Sequence, residues 1–195
     1  MHDTTINDWL DRLELQDPGS RGHAERVAIY ALALGQKLGL SSDELQQLRW
    51  GMLLHDIGKL SVPDSILRFP GKLNAKEWGM IMQHPTAGDA MLADVEDTEL
   101  LRTIVRCHHE RYDGEGYPYG LKGMDIPLFG RIAAICDSWD VMLSDRRYAP
   151  AMSVGEAVAE LRRCAGTQFD PRLIDLFLSM GHRLVDIPTF VEHYS

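Results

Sequence analysis

Only three cysteines occur in the 195 residues: Cys107, Cys136 and Cys164. An odd, scattered set excludes a disulfide framework and suits reduced thiols in a cytoplasmic protein. Aromatic residues make up just 8% of the chain, so the core must rest on leucine, alanine and methionine, a composition that favours helix. Long hydrophobic runs are missing. The longest, Val27 to Leu34, is far too short to span a bilayer, and the N-terminus lacks the pattern of a secretory signal. Basic residues are in deficit, 20 Lys and Arg against 29 Asp and Glu, for a formal net charge of −9. Such a surface opposes binding to duplex nucleic acid, which needs cationic patches to displace counterions. It still permits a small anion held through metal ions, because bound cations dominate the field around them. Internal repeats, low-complexity tracts and runs of strand signal are also absent.

What the chain does have is helical periodicity, over a length that fits one domain with a real core. Ile6, Trp9, Leu10 and Leu13 predict a helix over 4–16, stopped by Asp17-Pro18-Gly19. Ser20 is placed to cap a second helix that runs to about Leu38 with a stripe of Val27, Tyr30, Ala31 and Leu34. Ser41 or Ser42 caps a third, which Gly58 ends. Pro63, Pro70 and Gly71 mark a linker with a short turn from Asp64 to Leu67. A fourth helix is predicted over Asn74–Leu92, kinked at Pro85. A fifth covers Asp97–His109, and a sixth starts at Pro127 and reaches Leu143. Ser153 and Pro171 open two more, ending near Ala165 and Met180. The fold expected is all-α, a bundle of about seven to eight helices. Its body spans 20–180, preceded by a helix and linker over 1–19 and followed by a tail over 181–195.

His108 and His109 close the fifth helix just before a glycine-rich loop that ends Gly116-Tyr117-Pro118. A histidine pair by itself is a weak sign of a metal. More metal-competent residues lie on or beside the apolar stripes of other helices: His23, His55, Asp56, His84 and Asp137. Each, if buried alone, would need its own hydrogen-bond partner; one shared metal site satisfies all of them. The set is nitrogen and oxygen without thiolate, which suits Fe, Mn, Ni or Zn and argues against a Cys-type structural zinc. Seven ligands exceed what one ion takes. They suit two ions about 3.5–4 Å apart, bridged by Asp56, that activate a hydroxide for attack at phosphorus. Lys59 could neutralise charge on the phosphate or assist the leaving oxygen.

The segments His55-Asp56-Ile57-Gly58-Lys59 and His108-His109-Glu110-Arg111-Tyr112-Asp113-Gly114-Glu115-Gly116-Tyr117-Pro118 resemble the two signatures of the HD-GYP domain. That domain is a helical subgroup of the HD metal-dependent phosphohydrolases. The resemblance extends through Asp137-Ser138-Trp139-Asp140 to Phe169-Asp170-Pro171 and covers about residues 20–178. It implies a bacterial phosphodiesterase that hydrolyses cyclic di-GMP to pGpG or GMP, with the seven residues above as ligands, mainly of Fe or Mn. It implies that Lys59, His55 and Asp56 are catalytic and that Tyr117, Arg146 and Arg111 contact the dinucleotide. A signalling protein could dock on the Gly-Tyr-Pro loop, and the chain could act as monomer or homodimer. Two departures stand out. Where three-metal members carry glutamate four residues before the first histidine, this chain has Gly19, which argues for two ions. Where the family has Arg-Pro-Tyr-Lys/Arg, this chain has Arg146-Arg147-Tyr148-Ala149, without the last basic residue. Alternative readings are an HD-type hydrolase of another cyclic dinucleotide or nucleotide, or a module that binds cyclic di-GMP without turnover.

Overall fold

The computed structural model describes residues 3–145 and 150–184, and the architecture there is all-α. Arg146, Arg147, Tyr148 and Ala149, and the tail beyond Leu184, lie outside the described residues.

Helix α1, Asp3–Gln16, buries Ile6, Leu10 and Leu13 against α2, α3 and the short helical turn Ile57–Ser61. Helix α2, Ser20–Lys37, starts differently from expectation. Ser20 does not cap it; its hydroxyl is buried without a hydrogen bond. The N-cap is Gly19, at φ +94°, and the capping acceptor comes from α1, where the two Glu14 oxygens accept from the Gly19 and Arg21 amides, each at 2.9 Å. A carboxylate suits that end of the helix dipole. Helix α3, Ser42–Leu54, has the capping box that Ser41 and Glu44 announce. It ends at Leu54, earlier than Gly58, and the chain tightens into the Ile57–Ser61 turn.

A one-turn helix α4, Asp64–Leu67, leads to the largest departure. The single kinked helix predicted over 74–92 is two helices, α5 Ala75–Ile81 and α6 His84–Met91. Pro85 does not kink a continuous helix; it sits in the first turn of a new one, where its missing N–H costs nothing. Helix α7 spans Glu99–Cys107, α8 Leu128–Leu143, α9 Val154–Arg163 and α10 Pro171–Leu178.

Helices α2, α3, α7 and α8 close into a ring, each packed on the next and α8 back on α2. Helix α6 docks on α7 and on the Ile57–Ser61 turn. Small residues set how close α7 lies to its neighbours: Gly51 of α3 abuts Ile104, Gly88 of α6 abuts Val105 and Gly130 of α8 abuts Cys107. Trp139, fully buried on α8, meets Phe177 of α10 edge to face with centroids 5.6 Å apart, closing the far side of the core. No described helix is long and apolar enough to cross a membrane.

Candidate metal centre

The helix ring brings the sequence-selected residues together. His23 comes from the first turn of α2, His55 and Asp56 from the end of α3, His108 and His109 from the end of α7, and Asp137 from within α8. Helix α6 delivers His84. Helices α3 and α7 thus aim their C-terminal, partly negative ends at one small volume, which favours cations there.

Three of the histidines share one local device. The Nδ1 of His55 donates to the Met52 carbonyl at 2.6 Å, that of His84 to Ile81 at 2.8 Å and that of His108 to Val105 at 3.0 Å. Each acceptor lies three residues back, among the carbonyls that the last turn of a helix leaves open. With Nδ1 protonated, each Nε2 turns a lone pair inward. His84 and His108 then hold their Nε2 atoms 3.1 Å apart, and the buried His55 Nε2 makes no hydrogen bond at all. Two lone pairs at that distance repel unless a cation lies between or beside them. This arrangement, and not residue type alone, is what fits the site to a metal.

Asp56 lies among these rings. Its Oδ1 is 3.2 Å from His84 Nε2 and 3.9 Å from His108 Nε2, while Oδ2 is 3.5 Å from His55 Nε2. Two ligand groups result, Asp56 with His84, His108 and His109, and Asp56 with His23 and His55. In each, one ligand atom per residue lies within 4.8 Å of all the others. Asp137 adjoins the second, 3.2 Å from His23 Nε2. The other His23 nitrogen, Nδ1, faces Asp140 at 2.7 Å, and Arg26 holds Asp140 through both carboxylate oxygens, at 2.6 and 2.9 Å.

Electrostatics set His23 apart from the other rings. Burial pushes the His108 imidazole well below its ordinary value, helped by the neighbouring rings. It lowers His55 too, and takes His109 down to about 4. These rings are neutral at pH 7, the state a metal ligand requires. His23 goes the other way. Burial opposes its charge, but hydrogen bonds to Asp137 and Asp140 outweigh burial and raise it to about 9. Asp56 stays ionised far below the usual carboxylate range despite burial, because Lys59 and the histidines surround it. Burial likewise disfavours the Lys59 charge, yet Asp56, 2.6 Å from Nζ, holds its pKa above the ordinary value. Asp17, from the α1–α2 junction, stands 3.7 Å from the same ammonium.

Sequence reasoning passed over Glu110. It is buried, and its two oxygens accept from the Tyr119 amide at 2.7 Å and the Leu121 amide at 3.0 Å. This clamp folds the glycine-rich loop back over the histidine pair. Gly116 makes the fold possible, since a Cβ there would lie 2.6 Å from both the Glu110 Cα and the His109 carbonyl. Tyr117 consequently stacks on His109, with ring centroids 4.7 Å apart and planes 25° apart. Beside that stack opens a cleft of about 240 Å³, whose lining includes His109, Asp137, Arg111, Tyr117, Ser138 and Gln168. Ser138 and Gln168 were also missed as site residues, although Ser138 lies within a stretch that carries the family resemblance and Gln168 directly precedes another. Of the expected substrate contacts, Tyr117 and Arg111 line this cleft. Arg146 lies outside the described residues.

Comparison with known proteins agrees with this architecture. The cyclic di-GMP phosphodiesterase response regulator RpfG of Xanthomonas campestris is 39% identical over 176 residues, 89% of this chain and 47% of that protein. The 3'3'-cGAMP-specific phosphodiesterase 2 of Vibrio cholerae is 36% identical over 184 residues, 93% of this chain and 35% of that protein. The chain therefore spans about half or less of the length of these curated relatives. Among solved structures, the V. cholerae cyclic GMP-AMP phosphodiesterase V-cGAP3 superposes with a TM-score of 0.68 at 23% identity, over 92% of this chain and 48% of that one. The HD domain of the Listeria monocytogenes phosphodiesterase PgpH gives 0.63 at 18%, over 92% of this chain and 97% of that domain. The HD domain family profile matches residues 10–173, a span that takes in the whole helix ring and every residue placed around Asp56, and the chain belongs to that family.

Proposed function

We propose that this chain is a metal-dependent phosphodiesterase that hydrolyses cyclic di-GMP to pGpG or GMP in the bacterial cytoplasm. The observation that carries the reading is Asp56 standing between two histidine groups next to a cleft. His23, His55, Asp56 and Asp137 would hold one divalent ion; Asp56, His84, His108 and His109 would hold a second, with Fe or Mn the best match to an all-nitrogen and oxygen set and Ni or Zn next. Such ions supply an attacking water acidic enough to ionise near neutral pH and polarise the phosphoryl oxygens.

The chain's own residues do the rest. Lys59 is the cation nearest the shared carboxylate, placed to offset charge on a phosphate oxygen as substrate arrives. The Tyr117 ring, fixed on His109, shapes the entrance and excludes water, and Arg111 adds positive charge to the cleft wall. A second reading, hydrolysis of 3'3'-cGAMP, is favoured by relatives named for that substrate at 36% and 34% identity.

The test is anaerobic purification, loading with Mn or Fe(II), and chromatography of products from both dinucleotides. Wild type should yield pGpG or GMP, and His55→Ala and Asp56→Ala should each lose hydrolysis. Retained turnover in both variants would end this reading.

A further inference from the structure

We propose that Gln168, backed by Ser138, is a substrate-binding residue that contacts the purine edge of the substrate in the cleft beside His109. The inference rests on the dinucleotide reading above and extends it to base recognition. The cleft of about 240 Å³ lies below the range of about 300–1,000 Å³ that suits whole drug-sized ligands. It matches one nucleoside and not an entire cyclic dinucleotide. His109 and Asp137 belong both to the candidate metal centre and to the cleft lining, so a phosphodiester held beside them would have one of its two nucleosides next to this space, against the wall formed by Ser138 and Gln168.

Gln168 is anchored at its root and open at its tip. Its backbone carbonyl accepts from the Tyr112 amide at 3.1 Å and its own amide donates to the Cys164 carbonyl at 3.0 Å, tying it to the loop that bears Tyr117. Its side chain makes one long contact, Nε2 to Ser138 Oγ at 3.5 Å, and no other hydrogen bond among the described residues. Arg111, by contrast, is already committed: its Nε and Nη2 both donate to Asp113, at 3.1 and 2.6 Å. The Glu115 carboxylate and Tyr117 hydroxyl belong to the same lining. Gln168 brings to that wall an amide with free hydrogen-bonding capacity, with the Ser138 hydroxyl next to it.

That pair suits purines. An amide meets the N7 and N6 groups of adenine with a donor and an acceptor together; guanine shows two acceptors, N7 and O6, on the same edge. The amide N–H2 satisfies one of them and the rotatable Ser138 hydroxyl the other. One wall therefore accepts either base, consistent with relatives named for both cyclic di-GMP and cyclic GMP-AMP.

Gln168→Leu keeps the bulk and removes the amide. We expect kcat/KM for cyclic di-GMP to fall about tenfold to a hundredfold, mainly through KM, as when a polar group built to pair with substrate is lost. Metal content and hydrolysis of the base-free bis(p-nitrophenyl) phosphate should not change. Equal losses on both substrates, or no loss on the dinucleotide, would overturn the inference. If wild type cleaves the base-free diester but no cyclic dinucleotide, the substrate reading has failed, and the wall is judged by equilibrium binding of GMP and AMP. Weakening of both in Gln168→Leu sustains it; unchanged affinities overturn it.

Discussion

Asp56 faces His84 across the gap between the Ile57–Ser61 turn and α6, with Oδ1 3.2 Å from Nε2. They are brought this close by the absence of a side chain two residues on. A Cβ on Gly58 would overlap the His84 carbonyl oxygen, far inside van der Waals contact, and lie 2.5 Å from the Gly88 amide nitrogen. The turn and α6 touch backbone to backbone, and the site geometry depends on that contact.

Gly58→Ala should therefore cost stability and metal together. Overpacking of this kind costs about 1–3 kcal/mol, and relief by moving α6 would withdraw His84. Gly79→Ala is the control: it lies within α5 with no neighbour within 4 Å of the added methyl, so helix propensity should make it about 0.5–1 kcal/mol more stable. Urea unfolding and metal content of the two variants check both signs. If Gly58→Ala matches wild type in both respects, the close contact does not position the site.

Asp140 is expected to act through His23 and not as a ligand. It takes the Nδ1 hydrogen bond and is itself held by Arg26, an arrangement that fixes the ring and leaves Nε2 facing Asp137. Asp140→Asn should lower metal affinity about 10- to 100-fold, the usual effect of losing such a support, while helix content stays constant by circular dichroism. The readout is competition for metal with a chelator of known affinity. Unchanged affinity would show that His23 needs no such partner.

The three thiols should be inert in the folded protein. All are buried. Burial, with some help from Glu110, pushes Cys107 up to about 11, and burial raises Cys136 and Cys164 as well. A raised pKa keeps the thiol protonated in the native state. At pH 8 about one Cys107 in a thousand would be thiolate, against about one in four for a free cysteine. Labelling with a disulfide reagent should be slow at pH 8, accelerate about tenfold per pH unit toward 11, and become immediate for all three in urea. Rapid labelling of folded protein at pH 8 would contradict this.

Much of this was legible in the chain because it depends on local rules. Ser41, Asn74 and Ser153 each start a helix with a glutamate three residues on, and all three form capping boxes. The apolar stripes gave the helix ring its members, and polar residues beside those stripes gave the set around Asp56. What stayed hidden depends on partners distant in sequence or on competition between bonds. The α2 cap comes from Glu14 because the Gly19 turn folds α1 back within its reach. The 74–92 segment breaks because the chain turns at Gln83, letting His84 bond to the Ile81 carbonyl while Pro85 starts a new helix. Glu110 reads as part of a loop signature until the loop is seen to fold onto it. Gln168 has no signal of its own; only the pairing of Tyr112 and Asp113 with residues 167 and 168 brings it to the cleft.

The most direct test is the number of divalent ions bound per chain after anaerobic loading, measured by elemental analysis on wild type, His84→Ala and Asp56→Ala. Two histidine groups that share one carboxylate predict about two ions in wild type, about one in His84→Ala and less than one in Asp56→Ala. A single ion in wild type, or two ions retained without Asp56, would contradict a shared binuclear centre.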